Sequence, residues 1–229
     1  MPEKKILDYG CGLAGNCPWL SKRGQYYGLD IISENISYAK NRYPNGIFEL
    51  GSGNTIPWPD AFFDEVHTYD VLEHAADVSD VLKEIDRVLK PDGLLYIGVP
   101  AKISEKCLLK IRPDYWEEIG HLRVVELPLL QKSLSPDRYG LVKQQKRRGV
   151  EAITLAVLFY WRRGKRVVAH QTGSPQFSRW TIAFMWLFDS QLFQTKLKYF
   201  PFIYIITLPF GWLISQVFPK ARYFVFKKK

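Results

Sequence analysis

Short apolar runs alternate with amphipathic stretches along the first hundred residues. This alternation is typical of βαβ units, which build a parallel sheet. The predicted strands are Ile6–Tyr9, Tyr26–Ile31, Phe48–Leu50 and Phe63–Tyr69. The predicted helices between the first of them are Trp19–Arg23 and Glu34–Arg42.

A helical period of apolar positions follows over Val78–Leu89, with a polar opposite face. The turn-forming residues Lys90–Gly93 are predicted to end that helix, and Leu94–Val99 to form the next strand. Ser133–Tyr139 is predicted to close a further helix, and Gly140–Lys146 to form a sixth strand.

The pattern changes beyond Gly149. Three stretches are almost free of charge, at Val150–Trp161, Trp180–Phe188 and Tyr199–Pro219. Ala221–Phe226 then alternates like a last strand. We therefore predict a core over residues 1–148, an apolar and basic helical insertion over 149–219, and a last strand with a basic tail over 220–229.

Charge divides the chain in a similar way. Residues 1–101 hold 9 Lys and Arg against 15 Asp and Glu, and residues 102–229 hold 23 against 8. The second part is therefore strongly basic, which indicates an anionic partner such as nucleic acid or acidic lipid head groups. Three cysteines without paired spacing support neither a disulfide framework nor a zinc site, so we predict no metal. A cytoplasmic protein without a signal peptide is expected.

A glycine-rich turn follows the first predicted strand. Gly10 and Gly12 come directly after Asp8, and such glycines let the backbone approach a nucleotide-like ligand. Asp30 ends the second strand, where a carboxylate can accept hydrogen bonds from a ribose diol. Dinucleotide enzymes share this layout, but their G-x-G-x-x-G loop normally follows the strand directly, whereas here the acid Asp8 precedes the G-x-G pair. An oxidoreductase is therefore less favoured.

The motifs ILDYGCG, YGLDII, FFDEV, YDVLEH and RVLKPDGLLYIGVP follow one another as in class I S-adenosylmethionine-dependent methyltransferases. The sequence resembles that family over roughly residues 4–148, and particularly its branch acting on quinones, lipids and other small molecules. The resemblance implies an α/β fold, a Rossmann-like doubly wound and mostly parallel sheet of seven strands.

The resemblance also implies a site for S-adenosylmethionine. Asp8, Gly10 and Gly12 would face its methionine part, Asp30 would hold the ribose, and Ile31 would flank the adenine. The complete set of implied cofactor-binding residues is Asp8, Gly10, Cys11, Gly12, Asp30, Ile31, Ser52, Gly53 and Tyr69. Three residues depart from the family pattern: Ala14 and Asp92 replace glycines, and Ser52 replaces an acid. Alanine fits at position 14 if the backbone there has no positive φ.

The sequence indicates fewer residues for binding the methyl acceptor than for binding the cofactor. A hydroxyl acceptor would gain from a base, for which His74 and His121 are the candidates, although a histidine also commonly caps a helix or bonds backbone. Asp70 could contact the substrate or simply begin a helix. Arg123 could bind an anionic acceptor or pair with Glu117 or Glu118.

The apolar stretches allow two interpretations. Tyr199–Pro219 is long enough for a membrane span, but Pro209 and Gly211 interrupt it and basic residues flank both ends. We therefore expect a monotopic or peripheral attachment at the inner face of the membrane. The alternative is a helical lid that packs on the sheet or in a homodimer.

Three functions remain in competition. The first is methylation of a lipophilic or lipid-linked acceptor at the membrane surface, and the second is methylation of a soluble small molecule. The third is a catalytically silent cofactor-binding relative or a basic nucleic-acid-binding module. Tyr69–Leu72 lacks the Asn-Pro-Pro-Tyr type of tetrad that serves base methylation, so we expect no nucleic-acid partner.

Overall fold

The computed structural model describes residues 3–51, 55–147, 149 and 212–229. The strands are β1 Lys5–Tyr9, β2 Gln25–Asp30, β3 Ile47–Leu50, β4 Phe63–Tyr69, β5 Leu89–Pro100, β6 Tyr139–Arg147 and β7 Ala221–Lys228. The helices are α1 Cys17–Leu20, α2 Ser33–Arg42, α3 Val78–Val88, α4 Lys102–Ile111, α5 Tyr115–Ile119 and α6 Leu127–Leu134. A short 3₁₀ helix covers Leu72–His74, and 212–217 is helical.

The seven strands form one sheet in the order β3-β2-β1-β4-β5-β7-β6. The pairs β1–β2, β2–β3, β1–β4 and β4–β5 are parallel. The strand order reverses between β1 and β4, and in such sheets the crevice outside the carboxyl ends of the strands at the reversal is where ligands bind. The predicted doubly wound, mostly parallel sheet of seven strands is confirmed.

The two faces of the sheet differ in chemistry. On one face, Leu7, Tyr27 and Val66 join a large apolar cluster that includes the buried sides of α3 and α6. On the other face, Ile6 and Tyr26 pack with the buried residues of α1 and α2. Side chains alternate along a strand, so the second face also receives Asp8 of β1 and the Glu65, His67 and Tyr69 side chains of β4.

Three predicted boundaries are wrong in detail. Helix α1 begins and ends earlier than Trp19–Arg23. Lys90–Gly93 lies within β5, where the pairing with β4 shifts register, because the chain passes directly from α3 into the sheet. Of the predicted helix end Ser133–Tyr139, only Ser133 and Leu134 are helical, because α6 ends at Leu134 and the chain turns before β6 begins.

The chain divides into two compact units. The first holds the described residues of Met1–Val99, Val125–Gln144 and Tyr223–Lys229, and the second holds Pro100–Val124 with the described residues of Gln145–Arg222. Most of the predicted insertion over 149–219 lies outside the described residues, and its boundary at residue 148 stays a prediction. In the part of the chain that the structure describes, no helix is long and apolar enough to cross a membrane.

Candidate cofactor site

The glycine-rich turn after β1 is held against the end of β2. The backbone N–H groups of Gly10 and Cys11 both donate to the Leu29 carbonyl oxygen, at 2.8 and 2.9 Å. Gly10 and Gly12 have φ angles of +73° and +52°, which glycine adopts without steric cost. The two hydrogen bonds therefore hold the backbone of the turn at the carboxyl ends of β1 and β2.

The two glycines serve different purposes. A Cβ on Gly10 would lie 2.3 Å from Cγ2 of Val71, so this glycine lets the segment after β4 approach the turn. A Cβ on Gly12 would meet no atom within 4 Å, so the backbone of Gly12 borders open space. Gly12 thus has the property required of a residue that must let a ligand approach its backbone closely.

Asp30 is buried at the end of β2 and ties the turn to α2. Its Oδ2 accepts from Gly12 N at 2.7 Å, and its Oδ1 accepts from Ile32 N at 3.0 Å and from Asn35 Nδ2 at 3.1 Å. A carboxylate offers about four acceptor positions. One position on Oδ2 is therefore left for a hydroxyl such as that of a ribose.

Asp8 is also buried, with 1% of its surface exposed. Its Oδ2 accepts from the Tyr26 hydroxyl at 2.8 Å, and Asn16 Nδ2 lies 3.4 Å from Oδ1 and 3.3 Å from Oδ2. Burial raises the pKa of Asp8 from 3.8 to about 6, although the hydrogen bonds from Tyr26 and Asn16 lower it. The charge of Asp30 adds to the rise. The Asp8 carboxylate therefore changes charge close to neutral pH.

The predicted adenine side is partly described. Ile31 is 67% exposed directly after Asp30, where a large apolar side chain can cover a planar base. Ser52 and Gly53 lie outside the described residues. Cys11 is buried, burial raises the pKa of its thiol, and its predicted contact with the cofactor stays a prediction. The expectation that Ala14 avoids positive φ is wrong, because its φ is +56° in a fully buried position.

The loop that follows Ser52 and Gly53 is fixed by α3. Arg87 donates to the Ile56 and Trp58 carbonyl oxygens at 2.8 and 2.9 Å, and also to Asp60 and Glu84. Glu84 in turn accepts from Ile56 N at 3.1 Å. No role of Arg87 could be predicted, because an arginine on the polar face of an amphipathic helix resembles any solvated side chain in the sequence.

The end of β4 carries the residues predicted for the substrate side. Asp70 has φ +55°, and its N–H donates to the Gly98 carbonyl oxygen at 2.9 Å, so the chain turns sharply there. Asp70 and His74 are exposed. A non-glycine residue held at positive φ is strained, and such strain is frequent at functional sites.

Tyr69 forms a hydrogen bond with His67, which was not predicted from the sequence. Its hydroxyl lies 2.7 Å from Nδ1 of His67, whose Nε2 lies 3.3 Å from Glu65. Burial alone would raise the pKa of Glu65, but hydrogen bonds from His67 and Lys4 and the charge of Arg23 lower it to about 2. The ionised Glu65 accepts from Nε2–H, so Tyr69 donates to Nδ1. The predicted cofactor role of Tyr69 stays a prediction.

His121 and Arg123 belong to the second unit. Within that unit, His121 Nδ1 and Trp116 Nε1 both lie 2.8 Å from Oε2 of Glu105, a buried carboxylate of α4. Glu118, which the sequence offered as a partner of Arg123, forms an ion pair with Arg112 at 3.0 Å. Glu105 was missed because nothing in the sequence indicates that α4 is followed so closely by α5.

The residues present fit S-adenosylmethionine. Gly12 leaves room beside the backbone, Asp30 keeps an acceptor position, and Ile31 presents an exposed apolar surface next to it. These three features lie at the carboxyl ends of β1 and β2.

The proteins that are similar to this chain include methyltransferases. The family model described as "Methyltransferase domain" matches residues 7–97. The glycine/sarcosine/dimethylglycine N-methyltransferase of Actinopolyspora halophila is 34% identical over 110 residues, which are 43% of this chain and 19% of that protein. A demethylmenaquinone methyltransferase of Streptomyces griseus is 28% identical over 158 residues, which are 69% of this chain and 66% of that protein.

The chain thus spans less than two thirds of the length of these curated relatives. Among solved structures, the YcgJ protein from Bacillus subtilis has a TM-score of 0.59 at 17% identity, over 99% of this chain and 92% of that protein, which shows a shared fold. The motifs and the strand order agree with the family model, and residues 7–97 are similar to the methyltransferase domain of class I S-adenosylmethionine-dependent methyltransferases.

Proposed function

We propose that the protein transfers a methyl group from S-adenosylmethionine to a lipophilic or lipid-linked small molecule at a membrane surface. The observation that carries the methyltransferase assignment is the turn after β1, where open space beside Gly12 adjoins the buried carboxylate of Asp30. The family match over residues 7–97 supports the same reaction.

The cofactor supplies a methyl group on a positively charged sulfonium, which is already activated. The protein then has mainly to align donor and acceptor. In this proposal Asp30 holds the ribose, Ile31 covers the adenine and Asp8 serves the methionine end. Asp70 and Arg123 contact the acceptor. If the acceptor is a hydroxyl, His74 or His121 removes its proton.

The lipophilic acceptor is supported by the relative named for demethylmenaquinone and by the basic, apolar second part of the chain. Lys and Arg clusters beside apolar stretches favour acidic lipid over nucleic acid. The relative named for glycine and sarcosine supports a second candidate, a soluble amine acceptor. A homodimer, a cytoplasmic location and the absence of a nucleic-acid partner belong to the same proposal.

Cofactor binding is tested first, by calorimetric titration of S-adenosylhomocysteine into the detergent-purified full chain. Wild type should bind with micromolar affinity. Asp30→Ala should lose that binding, and Asp80→Ala, which removes an exposed carboxylate of α3, should retain it. Absence of binding to wild type would contradict the methyltransferase function.

The acceptor is tested with S-adenosylmethionine labelled in its methyl group. The protein is incubated with a membrane lipid extract or with a mixture of soluble amines, and label is counted after partition between organic and aqueous phases. Label in the organic phase that depends on Asp30 supports the lipophilic acceptor. Label only in the aqueous phase would select the soluble amine.

A further inference from the structure

Asp8 is a buried carboxylate on the face of the sheet covered by α1 and α2, next to the turn that begins the cofactor site. Among the described residues, no lysine or arginine pairs with it. Its donors are the neutral groups of Tyr26 and Asn16. Hydrogen bonds to a carboxylate favour its charged form, whereas burial favours the neutral form.

Both donors are themselves held in place. Tyr26 is 1% exposed in β2, and its ring packs against Phe48 with the ring centroids 5.6 Å apart. The Oδ1 of Asn16 accepts from Trp19 Nε1 at 3.3 Å, which turns the amide N–H₂ of Asn16 towards Asp8. These contacts fix the orientation of both hydrogen bonds before any ligand is present.

We propose that Tyr26 and Asn16 are positioning residues of the cofactor site, which hold the Asp8 carboxylate charged and oriented to accept from the α-ammonium group of the cofactor. The Tyr26 hydroxyl occupies one of the four acceptor positions of the carboxylate, and the Asn16 amide, which lies near both oxygens, occupies about two. One position is left for an N–H donor. A protonated Asp8 would present a hydrogen where the ammonium group needs an acceptor. This inference rests on the proposed function.

The other titratable groups around Asp8 are few. They are Tyr26 and Asp30 of β2, Cys11 of the turn, Cys17 of α1, and His67 and Tyr69 of β4. Burial raises the pKa values of the tyrosines and thiols and lowers the pKa of His67. A change in cofactor affinity between pH 6 and 8 therefore reports on Asp8.

The test compares wild type with Tyr26→Phe and with Asn16→Ala. Tyr27→Phe is the matched control, because the Tyr27 ring packs on the opposite face of the sheet, in a cluster with Trp58, Phe62 and Phe63. Binding of S-adenosylhomocysteine to the full chain is measured by calorimetry from pH 5 to pH 8. The carboxyl ¹³C shift of Asp8 is followed by NMR without ligand over the same range.

In wild type we expect affinity to rise with pH and to level off once Asp8 is ionised. Removal of one donor should move the midpoint of this rise in affinity upward by about one pH unit. The midpoint of the Asp8 ¹³C shift should move by the same amount. At a pH near the wild-type midpoint, affinity should then fall by several-fold up to about tenfold, whereas Tyr27→Phe should leave both midpoints unchanged.

Three outcomes separate the positioning role of Tyr26 and Asn16 from the methyltransferase function. If wild type binds the ligand and the Tyr26→Phe and Asn16→Ala profiles overlay it, the positioning role is refuted and the methyltransferase function stands. If the Asp8 carbon midpoint moves but affinity does not depend on pH, the α-ammonium contact is refuted. If wild type does not bind at any pH, both fail.

Discussion

Asp8 should lower the stability of the protein at neutral pH. Burial raises its pKa from 3.8 to about 6, so between these values the folded state binds more protons than the unfolded state. Stability is then greatest below pH 3.8 and falls as pH rises through 6. A pKa shift of about 2 units corresponds to about 3 kcal/mol in the free energy of unfolding. This stability is lost in full above about pH 7 and is about half lost at about pH 5.

Asp8→Asn removes this cost and keeps an oxygen that can accept from Tyr26. We therefore expect the variant to unfold with a free energy up to about 3 kcal/mol higher than wild type at pH 8, and with a smaller gain at pH 5. Urea denaturation of the full chain at pH 5, 6, 7 and 8 measures the difference. Asp80→Asn, at an exposed position of α3, is the control and should follow wild type.

The dependence of the Asp8→Asn stability gain on pH shows whether Asp8 titrates between pH 5 and pH 8. A gain that is the same at all four pH values would mean that Asp8 does not titrate in this range. A loss of stability at pH 8 would mean that the Asp8 hydrogen bonds outweigh the burial of its charge. Either result would also mean that the Asp8 midpoint does not lie near pH 6.

Three further substitutions test other parts of the site. Gly10→Ala should lower the free energy of unfolding by about 3 kcal/mol, because it adds a Cβ at positive φ against Val71, whereas Gly15→Ala, in open space, should change little. Arg87→Ala should lower the free energy of unfolding, measured by thermal denaturation, by about 2 kcal/mol and should weaken cofactor binding. Lys83→Ala on the same helix should change neither quantity. Glu65→Gln should cost about 2 kcal/mol at pH 7. Because the folded pKa of Glu65 is about 2, below its unfolded value of 4.5, that difference should vanish as urea titrations approach pH 2.

The sequence was sufficient for the sheet and the cofactor turn because both follow short-range rules. Strand β4 begins and ends at the predicted residues, and α3 buries Val78, Val81, Leu82, Ile85 and Val88 as its period requires. The glycines after β1 are recognisable because few other residues suit their φ angles.

Features that depend on register or on distant contacts were missed. Tyr26 meets Asp8 only because Ile6 and Tyr26 are register partners, which places the tyrosine diagonal to the carboxylate. Arg87 reaches Ile56 and Trp58 across a separation of about thirty residues. Ala14 was misjudged because its burial against the sheet offsets the strain of its positive φ.

The unequal faces of the sheet also bear on how the protein opens. The face covered by α3 and α6 holds the larger apolar cluster, while the face covered by α1 carries Asp8, Glu65 and His67 in place of aliphatic side chains. Local opening costs least where little apolar surface is buried. Amide hydrogens of the turn and of α1 should therefore exchange while those of β4 and α3 remain protected. A ligand can then enter and leave by local opening, without unfolding of the rest of the domain.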